Sequence, residues 1–370
     1  MMPRKPLLCI AGGGTGGHVM PAISLADAAR KSWPDLRVRF IGARRGLEAQ
    51  LLPKRQESVL LLNMHAVQGF GIWQRLRVLC WELPRSVMQI RRDWRDEKPD
   101  VLVGVGGYAS VSGVIAAIIC RVPVVLYEQN AVPGMVNRKL VRFCRRIMLG
   151  FAEAAPALPA SKRVVTGNII RHDIHQLRYK SHQPPCLLVL GGSQGARFLN
   201  ETVPGACALL AGKGLEFTVA HICGDDAVRI SEVGMRYQQA AIEHEIIGFC
   251  HDMPAFYARG DFLIARAGAM SVGEAGVAAI PTLFVPLPHA ADQHQWFNAR
   301  AAADQQGALL WKQAELTAEK LAEAIESILF DPEKKQAMSR NMQSWAATSC
   351  LLDAEQRQMQ VLAEFLEVAV

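Results

Sequence analysis

Short, nearly unbroken apolar runs recur along the chain, and each ends in glycine or polar residues. LLCIAGG at 7–13 is the first, followed by the alternating LRVRFIG at 36–42, DVLVGVGGY at 100–108 and VPVVLYEQN at 122–130. Runs of this length, bounded by glycine, predict strands buried on both faces. Helical spacing fills the intervals from about 21 to 31 and from 111 to 120. Strands alternating with helices predict a parallel sheet covered on both sides. The pattern then starts again. PCLLVLGGSQGARFLN at 185–200 has the same order of strand, Gly-Gly, small polar residue, glycine and helix as PLLCIAGGGTGGHVM at 6–20. LEFTVAHICG (215–224), DFLIARAGAMSVGEAG (261–276) and IPTLFVPLP (280–288) follow it. The prediction is an α/β protein of two doubly wound domains, 1–168 and 169–346. The Pro, Ser and His-rich stretch 156–184 is the candidate hinge, and the tail from about Thr317 is helical.

Composition narrows the class. A chain of 370 residues, half of them apolar, has material for two cores. A net charge of +7, spread along the chain, suits an anionic small substrate or an anionic membrane surface. With no zinc spacing, RNP-like stretch or long basic run, no nucleic-acid partner is expected. The nine cysteines form no CxxC pair, which fits a reducing compartment and argues against a disulfide framework or zinc site. PLLCI after Arg4 and Lys5 is too short for a signal peptide, and Arg121 and Pro123 interrupt the apolar stretch 111–127. The expectation is a soluble or peripheral protein.

The glycine loops suggest the chemistry. Gly12, Gly14 and Gly17 fit the GxGxxG spacing of a dinucleotide site, and Arg44 and Arg45 at the end of the second strand suit a 2′-phosphate. An NADP-dependent oxidoreductase is therefore one alternative. Three more glycine loops, at 104–107, 191–195 and 268–276, favour a site for more than one phosphate group. Unpaired N–H groups at a helix start attract anions, and glycine lets the backbone approach them.

GGTGGHVMPA, GVGGYASVSG, YEQNAVPG, GGSQGAR, RAGAMSVGEAGVAAIP and VPLPHAADQHQWFNA, in this order, resemble the MurG-type glycosyltransferases. The resemblance implies a GT-B fold: two Rossmann-like domains facing across a cleft, with a C-terminal helix at 347–370 packing back on the first. It implies transfer of N-acetylglucosamine from UDP-N-acetylglucosamine to the C4 hydroxyl of the muramyl sugar of lipid I. Another UDP-sugar glycolipid synthase is the further alternative. Carried over by motif, Thr15, Gly16, Gly17, Asn130, Arg171 and Ser193 contact the donor. Cys250, where the family often has isoleucine, touches uracil through its backbone. Ala269, Met270, Ser271, Val272, Gly273 and Glu274 cradle the nucleotide, with Glu274 accepting from ribose hydroxyls. Gln295 (alternatively Gln293) and Asn298 meet the sugar. Gly14, Gly106, Gly107 and Tyr108 are assigned to the acceptor diphosphate. Met20 replaces a common phenylalanine.

Direct inversion needs one general base. His18 is the leading candidate and Glu128 the alternative, while a helix-capping or phosphate-binding role for His18 stays open. No Asp-x-Asp pair stands in a matching loop, and GDD at 224–226 offers adjacent carboxylates only, so no metal or other cofactor is expected. In IWQRLRVLCWELPRSVMQIRRDWR at 72–95, Ile72, Leu76, Leu79, Leu83, Val87, Ile90 and Trp94 recur at helical spacing. Trp73, Arg75, Leu79 and Trp81 are the expected membrane contacts, and Pro84 is expected to split the stretch into two helices. The resemblance places the protein peripherally on the cytoplasmic face of the inner membrane, with other cell-wall synthesis proteins as possible partners.

Overall fold

The computed structural model describes residues 4–14, 16–65, 76–192 and 195–366. The chain forms two units: one runs to Ile169 and resumes at Asp353, and the other spans Ile170–Leu352.

The first unit is built on seven parallel strands: β1 (Leu7–Ala11), β2 (Arg37–Ala43), β3 (Val59–Leu62), β4 (Val101–Gly104), β5 (Val124–Glu128), β6 (Arg146–Leu149) and β7 (Arg163–Val165). Their order is β3-β2-β1-β4-β5-β6-β7. β1 is central and wholly buried, with Ala11 paired to Ile41 on one side and Gly104 on the other. Its side chains alternate between two cores, as the strand period requires. Leu8 and Ile10 face the helix Gly16–Ser32 and the C-terminal helix Ala354–Leu366, while Cys9 and Ala11 join the core under Leu83–Asp93 and Gly107–Cys120. β7 lies within the stretch expected to be a hinge, because 163–165 pairs with β6.

The second unit has six parallel strands: β8 (Cys186–Leu190), β9 (Thr218–Ile222), β10 (Glu243–Ile247), β11 (Phe262–Ala265), β12 (Thr282–Phe284) and β13 (Ala308–Leu310), in the order β10-β9-β8-β11-β12-β13. Leu187, Val189, Phe262 and Ile264 pack beneath the helices Arg197–Gly212 and Ala318–Leu329. The return to the first unit begins at Asp353, later than the expected 347. The helix Pro332–Thr348 still belongs to the second unit, where a side chain on Gly276 would run against Trp345 and Ala346.

Pro84 does not split its helix. A π-helical turn, Val78–Glu82, runs directly into Leu83–Asp93. Proline has no N–H to close an i→i−4 bond, and a wider turn just ahead of it keeps the chain helical.

Candidate active site

In each sheet the strand order reverses beside its first strand, at β1/β4 and at β8/β11. Ligands in open parallel sheets bind beyond the strand ends at such reversals.

In the first unit the β1 and β4 loops are pressed together. A side chain on Gly12 would come within 2.6 Å of the Gly106 carbonyl, and one on Gly107 within 2.5 Å of the Gly13 carbonyl. Gly106 and Gly107 have φ of +98° and +77°, which explains why both are glycine. Gly106 caps the helix Gly107–Cys120, and Tyr108 lies in its first turn. His18, half-buried in the first turn of Gly16–Ser32, stands beside this cap, with its Nε2 2.8 Å from where a Gly106 Cβ would be. His18, Gly106, Gly107 and Tyr108 thus meet at one strand-end crevice, with Gly16 and Gly17 at the start of the His18 helix. Gly14 has another partner: its N–H donates to Glu48 Oε2 at 2.8 Å. Thr15 lies outside the described residues.

Glu128 is unsuited to the alternative base role. It is buried, and its two oxygens accept four hydrogen bonds, from Asn130 N and Nδ2 (3.1 and 3.2 Å), Gly134 N (2.8 Å) and Asn137 Nδ2 (2.9 Å). A carboxylate so engaged braces the loop carrying Asn130.

In the second unit the helix Ala269–Val277 starts at Gly268, and its first internal bond runs from Val272 N to the Gly268 carbonyl. The N–H groups of Ala269, Met270 and Ser271 therefore have no acceptor within the helix and form an anion-receptive end. Gly273 packs against Ile170, which sets Arg171 beside the helix. Arg171 reaches Glu274 Oε1 with Nε at 3.0 Å and a terminal nitrogen at 2.9 Å. Tyr257 donates to Oε2 at 3.1 Å. Burial pushes the Glu274 carboxyl up, Arg171 and Tyr257 pull it back, and the balance lies above the ordinary carboxylate value. Cys250 belongs to this group, since Arg171 and Tyr257 both interact electrostatically with its thiol, which burial raises.

Two donor-sugar assignments fare differently. Gln295 Oε1 accepts from Leu287 N at 2.9 Å, so this side chain holds the loop after β12. Gln293 has left-handed backbone at φ 53°. Asn298 is fully buried and donates to the Ala267 carbonyl at 3.2 Å, supporting the turn before Gly268. Ser193 lies outside the described residues. Asp226, of the GDD sequence, caps Ala227–Gln239 by accepting from Arg229 N at 2.8 Å.

Three residues of the site were not singled out from sequence: Glu48, Tyr257 and Arg266. Arg266, two residues before Gly268, donates to the Val285 and Pro286 carbonyls and to Gln313 Oε1. Burial lowers its guanidinium to about 10. A short apolar run ending in an arginine carries no signal that the arginine will be half-buried with backbone carbonyls and an amide oxygen as its acceptors.

Of the expected membrane contacts, Leu79 and Trp81 are exposed, while Trp73 and Arg75 lie outside the described residues. Val87, Ile90 and Trp94 turn inward to the core. No helix among the described residues is long and apolar enough to cross a membrane.

Residues 8–149 match the Glycosyltransferase family 28 N-terminal domain, and residues 186–356 match the corresponding C-terminal domain. A relative from Anaeromyxobacter sp. (strain Fw109-5) is 39% identical over 336 residues, spanning 90% of this chain and 87% of its own. One from Shewanella denitrificans is 34% identical over 367 residues, 98% of each chain. Both are named UDP-N-acetylglucosamine--N-acetylmuramyl-(pentapeptide) pyrophosphoryl-undecaprenol N-acetylglucosamine transferase. The crystal structure of Acinetobacter baumannii MurG is similar with a TM-score of 0.75 at 26% identity, covering 98% of this chain and 99% of that one. The oxidoreductase alternative finds no support: the relatives are transferases, and a buried carboxylate stands at the loop a dinucleotide would need. With both domains matched and two doubly wound units of GT-B type, the chain belongs to glycosyltransferase family 28, among the MurG-type N-acetylglucosamine transferases.

Proposed function

We propose that the protein transfers N-acetylglucosamine from UDP-N-acetylglucosamine to the C4 hydroxyl of the muramyl sugar of lipid I, forming lipid II with inversion at the anomeric carbon. The observation that carries this is identity of 34–39% to transferases of that name over nearly the whole chain, together with an anion-receptive strand end in each unit.

In this reading the donor lies on the second unit. Its uracil meets the Cys250 backbone, its ribose reaches Glu274, and its diphosphate meets the free amide end of Ala269–Val277. The UDP leaving group gains negative charge as the glycosidic bond breaks. Amides already aimed at it stabilise that charge without reorganising. Arg171, partly exposed beside Glu274, adds a fixed positive charge. The acceptor lies on the first unit, its diphosphate at the Gly106–Tyr108 helix start. His18 takes the proton from the attacking hydroxyl as the new bond forms to the anomeric carbon.

The polyprenyl acceptor requires contact with a bilayer. Exposed Leu79, Trp81, Met88, Ile118 and Ile119 form an apolar surface on two neighbouring helices, and Arg85 lies over the Trp81 ring at 5.4 Å. Tryptophan and arginine beside exposed aliphatic residues suit the headgroup zone, so this face rests on the anionic cytoplasmic leaflet. The test is incubation with UDP-N-acetylglucosamine and a short-chain lipid I analogue, with products identified by mass spectrometry. A disaccharide-lipid product carrying one added N-acetylhexosamine is expected; absence of any glycosylated product overturns the proposal.

A further inference from the structure

Glu48 opens the short helix Glu48–Lys54 and is 1% exposed. Its Oε2 accepts from Gly14 N and its Oε1 from Ala43 N, each at 2.8 Å. Side chains on Gly13 or Gly46 would come within 2.2 Å of its carboxyl group and one on Gly42 within 2.4 Å of its Cγ, so three glycines clear the space this side chain fills. Leu47 N also donates to the Gly14 carbonyl, at 3.4 Å. Gly14, itself exposed and at φ +101°, is therefore held through both of its backbone groups.

A glycine loop after the first strand of such a sheet ordinarily offers its amides to a phosphate. Here the protein supplies the anion. We propose that Glu48 is a positioning residue for transfer. Through Gly14 it anchors the chain between β1 and the helix carrying His18. The part concerning transfer rests on the assignment of His18 as base; the hold on the loop does not.

The geometry defines the experiment. In E48Q the carboxamide oxygen can accept from one of the two N–H groups, but its NH2 faces the other, donor against donor. Wild-type protein and E48Q are compared by residue-resolved amide hydrogen exchange and by steady-state transfer kinetics. In the wild type the Gly14 amide exchanges slowly although the residue is exposed. In E48Q it exchanges roughly tenfold faster or more, while second-unit amides are unchanged. The kcat falls about 10- to 100-fold, as expected for a displaced catalytic group, and the donor KM stays within about twofold because unit two is untouched. Should E48Q not fold, E48D keeps the charge one methylene short of its partners and carries the same readouts. Fast Gly14 exchange in the wild type, or unchanged exchange in the variant, overturns the proposal. So does faster exchange with unaltered kcat. Faster exchange in a protein whose wild type transfers no sugar supports Glu48's hold on the loop and removes the transferase reading instead.

Discussion

Replacing Glu274 by glutamine separates a binding role from a structural one. Glu274 is 3% exposed, and burial holds its carboxyl above the ordinary value despite Arg171 and Tyr257. The folded state therefore binds this proton more tightly than the unfolded chain does. Its contribution to stability is greatest below the unfolded value and declines as pH rises through the folded one, so above the folded value the ionised group works against folding. E274Q removes that penalty and keeps the shape. The carboxamide oxygen accepts from Arg171, and the NH2 donates to the Tyr257 oxygen once its hydroxyl turns. What is lost is the charge on the Arg171 bonds, about 1 kcal/mol, and this is reduced because the Arg171 side chain is 37% exposed and screened by water. The opposing effects leave Tm within about 2–4 °C of the wild type. Donor binding responds more strongly. Arg171 and Tyr257 engage three of the roughly four lone-pair positions of the carboxylate, and a ribose hydroxyl donating to the remaining one loses an ionised acceptor. That is worth about 1–2 kcal/mol, a roughly 5- to 30-fold rise in donor KM. Thermal melts and donor titrations read both quantities. A Tm lowered by more than about 10 °C with an unchanged KM would show that Glu274 serves the fold and not the nucleotide.

H18A lowers kcat by about 10²–10⁴-fold and leaves the donor Kd, measured by titration calorimetry, unchanged; a kcat within a few-fold of the wild type would reassign the base. D261N lowers Tm by about 6–20 °C in a thermal melt, corresponding to about 3–5 kcal/mol for breaking a buried pair, because it leaves the buried Lys335 ammonium without its carboxylate at 3.1 Å. Burial raises the Asp261 carboxyl, but hydrogen bonds from Cys186, His182 and Lys335 outweigh it and hold it below its ordinary value. Its stabilisation is present above the unfolded carboxylate value and lost as pH falls through the folded one. The wild type therefore loses stability below about pH 4, and D261N loses less over the same range. Double charge reversal at Arg77 and Arg85 weakens sedimentation with anionic vesicles by at least about 30-fold, at about 1 kcal/mol per basic residue; equal binding would move the membrane face elsewhere.

The central strands were legible because burial on both faces leaves a continuous apolar run, as in β1, β4, β5, β8 and β11. β3 and β10 were not, because edge strands are only partly covered: Val59–Leu62 is mostly half-buried and Glu243–Ile247 carries two exposed glutamates. β6, β7 and β13 are three or four residues long and were missed for want of any period. At the site, glycines and His18 announce themselves within one local motif. Glu48 and Tyr257 do not, because each completes a loop distant in sequence: 34 residues separate Glu48 from Gly14, and 17 separate Tyr257 from Glu274. A charged side chain in the sequence reads as solvated until the fold shows it buried.

In the proposed reaction the donor occupies the second unit's strand ends. Hydrogen exchange of the intact protein with and without UDP-N-acetylglucosamine tests this directly. Slowed exchange across 268–274 and around Cys250 is the predicted footprint. A footprint confined to the β1 loop, with 268–274 unaffected, would contradict the account.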